Sequence, residues 1–362
     1  MIGWRSQLRI WAYIAFTGIV LFVWSLTEAE VSLLLTDRYT DIALLVAFWG
    51  IAWFFSYRIA FPYTGQASAR KRLYGVAAAF SVLAVSLVTL YDSIYHAMAA
   101  YLLSTSSLAL SISTSMASIL RGNPTGDIAG LVAKLRIYPG IAHALVALAY
   151  TVFNIHAIIV TIILIILLIV VVLQERTPII PAVTLEVMDR FTDALIHPYK
   201  EERTIPTPII AFIISMLSIA KLVYMPSAVS TDIYLGIALY AAALALGAFL
   251  GTIIRSTSTL FAILITSSLA ILYIEPWLFK FTVIATLLAF TDINAFLTTA
   301  IKLPSRISAL TWRISLSLLV FSLLLAVLAE LYGSIEVVIP FLIIVISIVG
   351  VISLRKKSFS WD

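Results

Sequence analysis

Four polar side chains interrupt one long apolar run: His143, Tyr150, Asn154 and Thr161, all within residues 141–173. At about 100° per residue, the steps 143 to 150, 150 to 154 and 154 to 161 turn a helix by about −20°, +40° and −20°. The four therefore share one stripe. Imidazole, phenol, amide and hydroxyl groups aligned this way can bind a polar solute, relay a proton or bond to other helices. Facing hydrocarbon would cost several kcal/mol per unpaired group, so the stripe must face protein or water. It is the candidate polar path.

Two histidines on one apolar helix also raise haem ligation. Helices that stack two haems space their ligands about 14 residues apart, which keeps both on one side. His143 and His156 are 13 apart, about 220° around a helix, and the remaining histidines, His96 and His197, supply no matching pair. No cofactor or metal site is read here. Asp92, beside Tyr91, Tyr95 and His96, is a candidate external gate with His96. Tyr91-Asp92 is half of an intramembrane aspartyl protease motif, but the Gly-x-Gly-Asp partner is missing.

Two further patterns concern contacts rather than chemistry. Gly236, Ala243, Gly247 and Gly251 recur at spacings of seven, four and four. Small residues at these intervals let two helix backbones approach closely, within the chain or in an oligomer formed through 232–254. Residues 183–197 (VTLEVMDRFTDALIH) have helical periodicity, with Val187, Met188, Phe191 and Leu195 on one side. The opposite side carries Glu186, Asp189 and Asp193 against Arg190 alone. An anionic lipid surface would repel that face, so 183–197 is expected to dock on protein, under the span ends or on a cytoplasmic partner such as an ATPase.

The elements that must carry these residues follow from composition. The chain has 362 residues, of which 62% are hydrophobic and 11% charged, with no cysteine. A soluble domain of this size is nearer a quarter charged. An ordinary soluble enzyme, a disordered scaffold and a nucleic-acid-binding domain are excluded; no thiolate chemistry is possible. The six Asn and Gln residues in the whole chain are a habit of thermophiles. The expected setting is the plasma membrane of a thermophilic prokaryote.

Apolar runs long enough to cross about 30 Å of hydrocarbon start at residues 8, 41, 73, 141, 208, 232, 259, 277, 311 and 335. The stretch 95–120 is long enough but holds nine Ser or Thr. Charge decides against it: with ten spans and both termini inside, 17 of the 23 Lys and Arg are cytoplasmic. The expected architecture is all-α, a polytopic integral membrane bundle of about ten transmembrane helices with both termini cytoplasmic. It reads as one membrane domain over 1–362: three spans (1–91), an external Ser/Ala-rich helical segment (92–140), a polar-striped span (141–173), a cytoplasmic loop (174–207), six spans (208–353) and a basic tail (354–362). No internal repeat is visible by eye.

Zinc-protease helices, Gly-rich phosphate loops and Asp-rich metal sites are absent from the sequence. The leading function is transport or translocation, by a solute or ion carrier or by a channel-forming subunit of a larger machine that moves DNA or another macromolecule. Direct nucleic-acid binding is not indicated. The alternative is a cofactor-free membrane anchor of a respiratory or other multi-subunit complex.

Overall fold

The computed structural model describes residues 4–36, 38–56, 64, 66–90, 93–122, 128–153, 157–175, 207–230, 232–254, 256–274, 276–302, 307–332 and 338–358. Among them the chain forms twelve helices and no strand. They are α1 (Trp4–Leu34), α2 (Tyr39–Phe55), α3 (Ala67–Leu90), α4 (Ile94–Gly122), α5 (Ile128–Phe153) and α6 (Ala157–Gln174). The second six are α7 (Thr207–Val229), α8 (Ile233–Ile253), α9 (Thr257–Tyr273), α10 (Trp277–Lys302), α11 (Ile307–Tyr332) and α12 (Val338–Ser358). Asp92, Asn154, His156 and the whole of 183–197 lie outside the described residues.

Packing repeats between the two sets of six. Helix α1 packs on α4, α5 and α6, and α7 packs on α10, α11 and α12. Likewise α3 meets α4 and α6, while α9 meets α10 and α12. The halves join through α2 on α11, its counterpart α8 on α5, and α1 on α7. This is a repeat of helix order rather than residue identity, which is why inspection of the sequence misses it.

Environment follows position in that repeat. Helices α1 and α7 are the most enclosed, with 78% and 83% of their apolar windows buried, against 33% for α3. Helix α6 turns Ile158, Ile162, Ile165, Ile166, Ile169 and Leu173 outward, all exposed. A fully apolar exposed face of this kind suits lipid, not water.

Three expectations change. Residues 95–120 are not an external segment. They form most of α4, whose Ser104, Thr105, Ser107, Ser111, Ser113, Thr114, Ser115 and Ser118 are all buried. The hydroxyls that lower its apolarity bind neighbouring helices: Thr27 to Ser104 at 2.6 Å, Thr17 to Ser111 at 3.1 Å and Ser81 to Ser107 at 2.7 Å. A span shielded by protein can be this polar because its partners replace water. Second, 141–173 is not one span, since α5 ends at Phe153 and α6 begins at Ala157. Third, the described residues form twelve helices where ten runs are expected, and six of the twelve are long and apolar enough to cross a membrane by length and composition.

Both counts are even, so the termini remain on one side. With twelve alternating crossings, the α4–α5 connection moves to the cytoplasmic side and carries Arg121, Lys134 and Arg136 with it. Twenty of the 23 Lys and Arg then fall on the cytoplasmic side, a cleaner split than ten spans give.

Candidate functional site

A charged group of side chains lies inside the bundle where apolar-run counting would put the membrane edge. Counting apolar runs alone would put Glu28 in an external turn and Lys221 near a span end. Instead α1 continues six residues past Glu28, about 9 Å, and α7 continues eight past Lys221, about 12 Å. Both side chains are therefore inside the bundle, each 1% exposed. Lys221 Nζ donates to Glu28 Oε1 at 2.6 Å and Oε2 at 2.8 Å. The Tyr240 hydroxyl of α8 accepts from Lys221 at 3.0 Å and donates to Glu28 Oε2 at 3.1 Å. Three groups from α1, α7 and α8 thus close a triangle, and α1 belongs to one half while α7 and α8 belong to the other.

Aromatic rings surround the triangle. Lys221 Nζ lies 4.5 Å from the Trp24 ring centroid and 5.2 Å from that of Tyr240, within cation–π range. Trp24 indole N–H donates to Thr105 at 3.2 Å, which fixes its ring against α4. Trp24 is thus part of this enclosure, 4% exposed. Phe281 of α10 and Trp49 of α2 complete the wall, at 5.7 Å from Tyr240 and 6.2 Å from Trp24. An ion pair at this depth survives only because each charge finds its partner and further hydrogen bonds.

Of the polar stripe, His143 and Tyr150 come together on one face of α5. His143 is fully buried, edge-on to Tyr240 at 6.3 Å and beside Phe22 at 6.4 Å. Tyr150 packs on Phe22 at 5.3 Å and on Tyr234 at 4.4 Å. Thr161 sits on α6, a different helix, so the stripe is not continuous. His96 is half-buried in the first turn of α4.

The small-residue stripe of α8 is used within the chain. A Cβ on Gly247 would stand 2.1 Å from the Thr286 carbonyl oxygen of α10, and one on Gly251 would stand 3.0 Å from Ile293. A Cβ on Gly236 would meet the Ala228 carbonyl oxygen of α7 at 2.5 Å. Ala243, between them, is buried.

A second charged cluster closes the cytoplasmic end of the first half. Glu175, just past α6, accepts from Arg70 Nε of α3 at 2.5 Å and from Ser118 of α4 at 2.9 Å. It also accepts from the Tyr13 hydroxyl of α1 and, at 3.4 Å to each oxygen, from Arg9. Arg70 in turn donates to the Thr64 carbonyl at 2.8 Å. One carboxylate therefore ties α1, α3, α4 and α6 together. Burial alone would push its pKa up, but Arg9, the Tyr13 hydroxyl and Arg70 hold it below the ordinary carboxylate value.

The sequence carries a signal for one member of the central pair that run-counting discards: Lys221 lies between Ala220 and Leu222, inside an apolar run.

No family model and no curated protein matches the sequence. Solved structures do match the fold. An aspartate-to-alanine mutant of the nucleoside transporter NupG superposes with a TM-score of 0.64 over 98% of this chain and 99% of its own, at 15% identity. Another crystal structure of NupG gives 0.60 over 99% of each chain at 12% identity. The chain has the fold of a polytopic membrane transporter. At such identity, fold is what the likeness establishes.

Proposed function

We propose that this protein is a solute carrier that works by alternating access, with Glu28, Lys221 and Tyr240 at its substrate site. One observation carries the reading: a buried ion pair bridges α1 and α7, the enclosed central helices of the two halves. A purely structural pair gains nothing from spanning two bodies, because replacing it by apolar groups is often neutral or stabilising. A carrier does gain from it. A bond that substrate can displace couples binding to the relative position of the halves. The Glu175 cluster supports the same reading by holding the first half together as one unit.

NupG is a nucleoside transporter, and the ring-lined enclosure is compatible with a planar solute, so nucleosides belong in the first substrate panel. The test is uptake by the purified full-length chain in liposomes, without any other subunit. Uptake of one panel solute, lost in Glu28→Gln and in Lys221→Met, is expected. A lone protein that carries nothing, but copurifies from its own membrane with an ATPase or a redox subunit, would overturn the carrier reading.

A further inference from the structure

We infer that His143 is a substrate-contacting residue of this site and that the site takes a solute with no net charge and with both hydrogen-bond donors and acceptors. The inference rests on the carrier reading above.

His143 is fully buried, and neither Nδ1 nor Nε2 has a hydrogen-bond partner among the described residues. A buried side chain with two unmet polar atoms is an exception that needs a cause, because each was removed from water without compensation. Its neighbours do not supply one. Phe22 offers only a ring, and the Tyr240 hydroxyl is already engaged by Lys221 and Glu28. Nearby, Trp49 Nε1 is a second buried N–H without a partner, on the ring that packs against Trp24. The unmet groups on α5 and α2 thus each lie one aromatic ring from the triangle, His143 against Tyr240 and Trp49 against Trp24, and a solute seated between the halves would meet both.

Their chemistry defines the solute. Glu28 and Lys221 cancel, and a neutral imidazole adds one donor and one acceptor but no charge. An ion entering so enclosed a place would meet no opposite net charge to offset its lost hydration. A neutral or zwitterionic solute meets donors at Trp49, Lys221 and His143, and acceptors at Glu28 and His143.

Ligand-free stability and transport should then respond in opposite directions. His143→Phe keeps a flat ring while removing both nitrogens, and His143→Gln keeps a donor and an acceptor. In detergent without solute, the Phe variant is expected to melt at or above the wild-type temperature. In liposomes its KM is expected to rise at least tenfold for whichever of uridine, glucose or leucine the wild type carries, with part of the loss recovered by Gln. A Phe variant that melts several degrees lower would mean a structural partner for the imidazole and overturns the inference. So does an unchanged KM in that variant. A wild type that carries choline or citrate but none of the neutral solutes overturns the inference and leaves the carrier reading standing. A wild type that carries none of the five overturns both.

Discussion

Lys221 reaches across 193 residues of chain to put its ammonium 2.6 Å and 2.8 Å from the two carboxylate oxygens of Glu28, with Tyr240 bonded to both partners. Breaking such a pair from one side leaves an uncompensated charge in a low-dielectric interior. Glu28→Gln is expected to destabilise the protein by about 3–5 kcal/mol and to abolish uptake. Glu28→Gln combined with Lys221→Met should recover most of the stability and none of the transport. Melting temperature and liposome uptake, measured on all three variants, check both halves of the expectation. Recovery of uptake in the double variant would remove the pair from the transport mechanism.

The Glu175 cluster should make stability depend on pH. Because Arg9, the Tyr13 hydroxyl and Arg70 hold the folded-state carboxyl below its unfolded value, its contribution is fully present above the ordinary carboxylate range. That contribution is lost as pH falls through the lowered folded-state pKa. Glu175→Gln removes the carboxylate that neutralises the buried Arg70 guanidinium and should cost about 3–5 kcal/mol near neutral pH. The gap between the melting temperatures of wild type and variant should shrink as the solution is acidified. A gap that widens in acid would contradict the sign.

Two glycines give a contrast in packing. Gly247→Ala would drive a Cβ into the Thr286 carbonyl, 2.1 Å away, and is expected to cost about 1–3 kcal/mol by forcing α8 from α10. Gly75→Ala in α3 meets nothing within 4 Å, and should stabilise by up to about 1 kcal/mol through helix propensity. Thermal melts of the two single variants should move in opposite directions.

Topology has a direct check, because the chain has no native cysteine. A cysteine at Asn123, in the α4–α5 connection, should react with impermeant reagent only from the cytoplasmic side, as should one at Ser358. A cysteine at Ser113, buried within α4, should react from neither side in the intact protein. External reaction at Asn123 would restore the ten-span arrangement.

Composition and the apolar runs by themselves determine an all-helical polytopic bundle, because about 30 Å of hydrocarbon leaves a chain of this apolarity few other solutions. The basic tail and the Arg and Lys at helix ends determine which side the termini face. Small residues at Gly236, Gly247 and Gly251 mark a close helix contact, but only the fold names α7 and α10 as the partners. Tertiary structure alone decides where polarity is tolerated. The nine hydroxyls of 95–120 look too polar for a span until α1 and α3 are seen to bond with five of them, Ser104, Thr105, Ser107, Ser111 and Ser115. Glu28 and Lys221 look like charges at span ends, because a hydropathy window stops where a charge lowers its mean. A helix does not stop there when a partner from another helix, far along the chain, neutralises that charge. That long-range pairing is invisible to any local reading of sequence, and it is what builds the centre of this protein.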